Sequence, residues 1–312
     1  MSARPTLYAI NPGPGRDELS LETLWTQDGD GPLGSGYSQM FPLRMQDQLY
    51  LVGVAADGSA TAFSVQSRAP WLVPAESKLE LGGPWDIIEP FVIGNQPHLL
   101  AYAGKSGQFS FIPIGHGLTS EPPYPYARNH EPGTTAGFDV AYPITIFGMV
   151  YYLCYSFSTG KVAIYSLSVT ATSPAGTPPL VSDYVWLHQW ARSWTRFAFF
   201  QLGGENFFFK INVGPKPNVN IDHVQDDPTR GTVEVGSNLH LDDSGKIDIT
   251  RTFYLGNGDP YLITYMKDGS TTFNRFHGNC QGWTPEASLK TVEGATQVVP
   301  LQLGGRCLVL VC

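Results

Sequence analysis

Six segments of this 312-residue chain share one pattern: an apolar stretch, a short turn containing Gly, then a second apolar stretch. They read YSQMFPLRMQDQLYLVGV, WDIIEPFVIGNQPHLLAY, FDVAYPITIFGMVYYLCY, WTRFAFFQLGGENFFFKI, IDITRTFYLGNGDPYLITY and ATQVVPLQLGGRCLVLVC. Pro42, Pro90, Pro143 and Pro300 occupy one equivalent site, which Phe199 and Thr252 take in the other two. Successive sites lie 48, 53, 56, 53 and 48 residues apart. From Pro300 through the two chain ends to Pro42 the distance is 54 residues, a normal repeat length. The pattern closes on itself only when the ends are joined.

A fixed period near 50 residues, with several short strands per period, predicts a β-propeller. Each first hairpin is followed by another turn: Asp57-Gly58, Ser106-Gly107, Thr159-Gly160 and Asp268-Gly269. Such dipeptides supply the positive φ that tight turns need. The third strands that follow read SATAFSVQ, GQFSFIPI, GKVAIYSL and STTFNRFH, with the imperfect alternation of half-buried strands. At the same offset, counted through the chain ends, stands Thr6-Leu7-Tyr8-Ala9-Ile10, with ELSLETLW next as an outer strand. Trp71 and Trp283 fall in the outer-strand region of other repeats. The expected fold is therefore all-β: one six-bladed propeller of four-stranded antiparallel blades. The expected blades are 37–84, 85–137, 138–193, 194–246, 247–294, and a split sixth made of 295–312 plus 1–36.

Composition narrows the function. Hydrophobic residues make up 42% and charged residues 15%, with 34 Gly and 25 Pro, which suits a turn-rich all-β chain with a large core. The net charge of −8 comes without a Lys/Arg patch, which argues against nucleic acid and anionic membrane as partners. No apolar run reaches the roughly 20 residues of a membrane span. MSARPTLYAINPGPG lacks the apolar core of a secretion signal, so the expected location is the cytoplasm. Cys154, Cys280, Cys307 and Cys312 have no metal or redox spacing and read as structural thiols.

Recognisable chemistry is missing. None of the seven histidines forms HxH or HExxH, so no metal is expected. There is no GxSxG elbow, GxGxxG fingerprint, P-loop or sialidase-type SxDxGxTW box, and no cofactor is expected. Asp28-Gly29-Asp30-Gly31 lacks the continuation of a calcium loop and reads as a turn.

Propellers place the first strand of each blade nearest the axis, so the repeat alignment nominates a channel. Four places before the Pro site stand Ser38, Asp86, Asp139, Thr195, Asp248 and Thr296, all polar. One place earlier stand Tyr37, Trp85, Phe138, Trp194, Ile247 and Ala295. One place before the Pro site stand Phe41, Glu89, Tyr142, Ala198, Arg251 and Val299. Arg196 aligns with Gln39 and Gln297. The structural reading is a hydrated polar channel whose hydroxyls and carboxylates cap backbone N–H groups. The functional reading is one pocket with aromatic walls and convergent polar groups, in which neighbouring carboxylates Asp86 and Asp139 supply an acid beside a base. A second aromatic concentration, YVWLHQWARSWTRFAFF, carries His188, Trp190 and Trp194. It packs between blades or covers the channel entrance, offering flat walls and cations. The Pro-rich segment from Thr119 to Thr135 is a second candidate lid.

The segment GNGDPYLITYMKDGSTTFNRF resembles the repeats of tachylectin-type and fungal fucose-binding propeller lectins. Such lectins repeat Trp, Arg and Glu from blade to blade. Here the apolar skeleton repeats and the polar groups do not: Arg275 gives way to Phe63, Phe111 and Ile164 or their neighbours. In size and architecture the chain is also similar to the fungal hetero-Diels–Alderases of tropolone sesquiterpenoid biosynthesis. That resemblance implies a cofactor-independent cyclase or pericyclase acting in a dry, shaped cavity. On this reading Asp86, Asp139, Asp248, Arg196 and Arg251 act on polar groups of an apolar or conjugated substrate. Tyr37, Gln39, Trp85, Glu89, Phe138, Tyr142, His188, Trp190 and Trp194 bind it. The alternatives are a carbohydrate-binding lectin and a protein-interaction scaffold.

Overall fold

Each repeated segment folds as the two innermost strands of its own antiparallel sheet, and six sheets stand in a ring. The computed structural model describes residues 4–12, 18–29, 31–33, 36–124, 126–128, 136–169, 180–214, 217–239, 241, 244–256, 258–276 and 282–312. The fold is an all-β six-bladed propeller. Its innermost strands, in ring order, are Tyr37–Met45, Ile87–Ile93, Val140–Ile146, Arg196–Leu202, Ile249–Tyr254 and Val298–Leu303.

Four strands per blade lie side by side in chain order in blades one, two, four and five. Blade three has a fifth, Tyr126–Arg128, which pairs in parallel with Leu180–Ser182 at the outer edge. Part of the segment expected as a lid is thus an edge strand on the rim of blade three. Its residues 125 and 129–135 lie outside the described residues. The third strand of blade four, Asn218–Val224, follows a longer connection that carries none of the Gly dipeptides of the other blades.

The sixth blade joins the two chain ends. Thr6–Pro12 pairs with Arg306–Val311, with Leu7 opposite Leu310 and Ala9 opposite Leu308. Leu19–Thr26 completes the blade on the outside.

Six apolar clusters fill the six gaps between blades. In the second strand of blade two, Leu99 and Ala101 face blade one, whereas Leu100 and Tyr102 face blade three. Both faces are covered, which is why these second strands read as unbroken apolar runs. The turn glycines serve the same packing. Gly160 (φ 76°) and Gly269 (φ 83°) lie under the chain as it crosses to the next blade. Their carbonyls accept the N–H of Trp190 and Thr291, at 2.8 Å each. A Cβ at either position would collide with the carbonyl oxygen of that same crossing residue.

Candidate functional site

The innermost strands enclose a cavity of about 580 Å³ on the ring axis, lined from all six blades. The strand starts form its first layer. Asp86 Oδ2 accepts the N–H of Gly104 at 2.7 Å, Asp139 Oδ2 that of Phe157 at 2.7 Å, and Asp248 Oδ2 that of Lys267 at 2.8 Å. The backbone N–H groups of the same aspartates bond the carbonyls of Tyr102, Tyr155 and Tyr265. Each aspartate therefore ties its innermost strand to the end of the second strand in its own blade. All three line the cavity, each with one oxygen engaged in this cap.

The next residues link neighbouring blades. Gln39 Nε2 donates to Trp85 O at 2.7 Å while its Oε1 accepts the Ile88 N–H at 2.8 Å. Gln297 Nε2 donates to Ser38 O at 2.9 Å. Arg196 Nε donates to Asp248 O at 2.7 Å, and its Nη1 to Thr195 O at 2.9 Å. These three aligned residues act alike, since each clamps the innermost strand of the following blade. The phenols that end the second strands add a further tie. Tyr102 OH accepts the N–H of Phe138 at 3.0 Å, and Tyr265 OH that of Ala295 at 2.8 Å. Burial holds the Tyr102 phenol up at about 12.

The layer one place before the Pro site breaks the repeat. Phe41, Ala198 and Val299 line the cavity there as buried apolar groups, but Glu89, Tyr142 and Arg251 line it with titratable ones. Glu89 stands in blade two and Arg251 in blade five, on opposite sides of the axis. Burial within the ring raises the Glu89 carboxyl from 4.5 to about 7, with Arg251 pulling it back. Burial likewise raises the Tyr142 phenol and lowers the Arg251 guanidinium. Arg251 is nevertheless exposed along the channel. Protein surrounds it at a distance, and the cavity leaves its surface open. Its Nη1 donates to Thr250 O at 2.8 Å. Among the described residues no carboxylate reaches it within 4.0 Å. Tyr142 lies flat against Phe199, with centroids 3.9 Å apart and planes 3° apart. Phe199 stands where the Pro repeat lapses, a signal in the sequence that an alignment of polar groups passes over.

The other aromatic candidates lie outside the cavity wall. Trp85 packs between blades one and two, its Nε1 donating to Leu81 O at 2.8 Å. Tyr37 meets Phe63 edge-on within blade one's packing, and Phe138 is buried between blades two and three. Trp190 and Trp194 flank the buried Lys210 ammonium, 4.6 and 5.1 Å from their ring centroids. Lys210 in turn bonds Asp222 at 2.8 Å. His188 stacks on Trp186 at the outer strand. The aromatic concentration thus packs blades three and four together. Residues one place before the capping aspartates turn into the gaps instead: Trp85 toward blade one, Phe138 toward blade two and Ile247 toward blade four.

Two further groups lie away from the axis. Arg275 Nη2 bonds Asp259 at 2.5 Å, and its Nη1 lies 3.6 Å from Glu286. Glu205, His223 and Asp226 bring ligand atoms within 4.8 Å of one another in blade four, a grouping that no short spacing announces. Cys154 and Cys307 are buried free thiols, and burial pushes Cys307 up to about 12. Cys280 lies outside the described residues, as do His130 and Asp30. No described helix is long and apolar enough to cross a membrane.

No family model matches the sequence, and no curated protein matches it. Solved structures show the fold. The SapL1 lectin, in complex with alpha methyl fucoside, matches with a TM-score of 0.54 at 11% identity over 88% of each chain. AofleA from Arthrobotrys oligospora matches with a TM-score of 0.50 at 10% identity, over 89% of this chain and 77% of its own. A putative 6-phosphogluconolactonase from Bacteroides fragilis gives 0.49 at 12% identity, over 93% and 96%. At these identities the likeness to SapL1 and AofleA is one of architecture.

Proposed function

We propose that this chain acts on one apolar, conjugated small molecule held in the axial cavity, as a cofactor-independent cyclase. The observation that carries the reading is the broken layer. A ring that repeats its skeleton six times places Glu89, Tyr142 and Arg251 at one depth, where the other blades put Phe41, Ala198 and Val299. The cavity falls within the roughly 300–1,000 Å³ of small-molecule sites. Tyr142 and Phe199 offer a flat wall, Arg251 a cation, and Glu89 a carboxyl that titrates near neutral pH. Together they can hold a conjugated substrate, steady negative charge on its oxygen and exchange one proton.

Native mass spectrometry against an apolar metabolite extract tests the binding half: one ligand per chain supports the axial site. Turnover tests the other half. Cyclisation of that one molecule without a cofactor gives a product of the substrate's own mass. Glu89→Gln should lower that turnover tenfold or more while the protein stays folded.

A second reading rests on blade five, where Arg275 lies beside Glu286 and Trp283 opens the outer strand. A lectin neighbour in complex with a fucoside makes a single carbohydrate groove there the rival. Binding of alpha methyl fucoside that survives Arg251→Gln but not Arg275→Ala would favour it.

A further inference from the structure

We propose that Glu205, His223 and Asp226 hold one divalent metal ion of the zinc class in blade four, away from the axial cavity. Three separate stretches of the blade supply them. Glu205 opens the second strand, Glu205–Asn212, directly after the Gly203-Gly204 turn. His223 lies near the end of the third strand, opposite Phe207. Glu205 precedes Phe207 by two residues, so it shares the face of His223 and stands on its diagonal. Asp226 follows in the link to the single helical turn Pro228–Arg230. That link is pinned by Gln225, whose N–H donates to Gly231 O at 3.0 Å and whose Nε2 donates to Arg230 O at 2.9 Å. The fold thereby brings three ligand atoms within 4.8 Å of one another.

The second observation is the state of the imidazole. His223 Nε2 is enclosed by protein and has no hydrogen-bond partner among the described residues. Glu205 Oε2 lies 3.7 Å from it, too far for a hydrogen bond. Phe207 backs the ring, with centroids 4.8 Å apart and planes 30° apart. A buried polar nitrogen calls for a partner. The carboxylates call for one too. Among the described residues no Lys or Arg pairs with Glu205 or Asp226 within 4.0 Å. Lys210 lies against Trp190 and is committed to Asp222 at 2.8 Å. Water at this point pairs the nitrogen but leaves two like charges side by side, whereas a divalent cation satisfies all three groups.

The donor set selects the ion. Mg2+ and Ca2+ take oxygen ligands, but an imidazole beside carboxylates suits zinc and its neighbours. Bonds of about 2.0–2.1 Å place tetrahedral zinc ligands roughly 3.4 Å apart. The 3.7 Å between His223 and Glu205 is close to that, and the exposed side chains of Glu205 and Asp226 are free to swing inward. Three protein ligands leave the fourth position to water. Bound there, the ion ties the second strand of the blade to the link that leads into the fourth. The site departs from the sequence expectation of no metal, because one ligand comes from a different strand and no ligand motif spans the chain between them.

The test uses the full chain, stripped with EDTA and titrated with Zn2+ by calorimetry. One site of micromolar affinity or tighter is expected, and millimolar Mg2+ should not compete for it. Glu205→Gln and Asp226→Asn remove exposed carboxylates, so each should leave the metal-free melt unchanged while weakening Zn2+ tenfold or more. His223→Asn should abolish the site. One equivalent of Co2+ should absorb in the visible without a thiolate charge-transfer band, which separates this site from the four cysteines of the chain. Failure of Zn2+ to bind at millimolar concentration would overturn the proposal. So would a thiolate band at one equivalent of Co2+, or Mg2+ binding as tightly as Zn2+. Unchanged affinity in both Glu205→Gln and Asp226→Asn would do the same, whether or not His223→Asn folds.

Discussion

The division of labour between aligned residues is decided atom by atom. Asp86, Asp139 and Asp248 share a cap, and Gln39, Arg196 and Gln297 share a clamp. Repetition of one hydrogen bond in three blades marks architecture, whereas Glu89, Tyr142 and Arg251 share nothing but depth. Removing a cap should therefore cost stability. Asp139→Ala is expected to lose about 1–2 kcal/mol, because the N–H of Phe157 loses a charged acceptor. Urea unfolding measures it. Glu89 should show the opposite sign. Its folded carboxyl titrates near 7 and its unfolded one near 4.5, so the unfolded chain holds fewer protons between those values. Stability falls as pH rises across that window and stays lower above it. Glu89→Gln should accordingly melt higher than the unmodified protein at pH 8 and alongside it at pH 4.5.

At the scale of the strand, the sequence marks where a blade folds back better than which way a side chain turns. The dipeptides Asp57-Gly58, Ser106-Gly107, Thr159-Gly160 and Asp268-Gly269 sit at turns between second and third strands, since their positive φ leaves little choice. Blade four turns without such a dipeptide, and its third strand is not legible in the sequence. Trp85, Phe138 and Trp194 share a column in the alignment, and that column faces the gaps between blades rather than the axis. An apolar pattern does not separate the two, because both are enclosed. The turn glycine also carries the contact to the next blade. Gly160→Ala should cost about 2 kcal/mol or more, since a Cβ there meets the carbonyl of Trp190 and the φ of 76° strains any L side chain. A thermal melt of that variant checks it.

Closure governs the molecule as a whole. The strand Arg306–Val311 is the second strand of blade six, with Val298–Leu303 on one side and the N-terminal strand Thr6–Pro12 on the other. Leu308 and Leu310 fill the gap toward blade one, while Cys307, Val309 and Val311 fill the gap toward blade five. Deleting residues 305–312 should bare both gaps at once. The expected outcome is loss of the cooperative melt and binding of a dye that reports exposed apolar surface. A truncated chain that melts like the full one would remove the closure argument.

The number of blades, the split sixth blade and the equivalent positions of the innermost strands are legible in the chain alone. Those follow from a period and from turn chemistry, which are properties of neighbours along the chain. Tertiary structure alone decided which aligned groups meet. Glu89 and Arg251 are brought to face each other only because six blades close a ring, and Tyr142 reaches Phe199 only because blades three and four lie side by side. A repeat places residues at equal heights; the curvature of the ring decides which of them see one another across it.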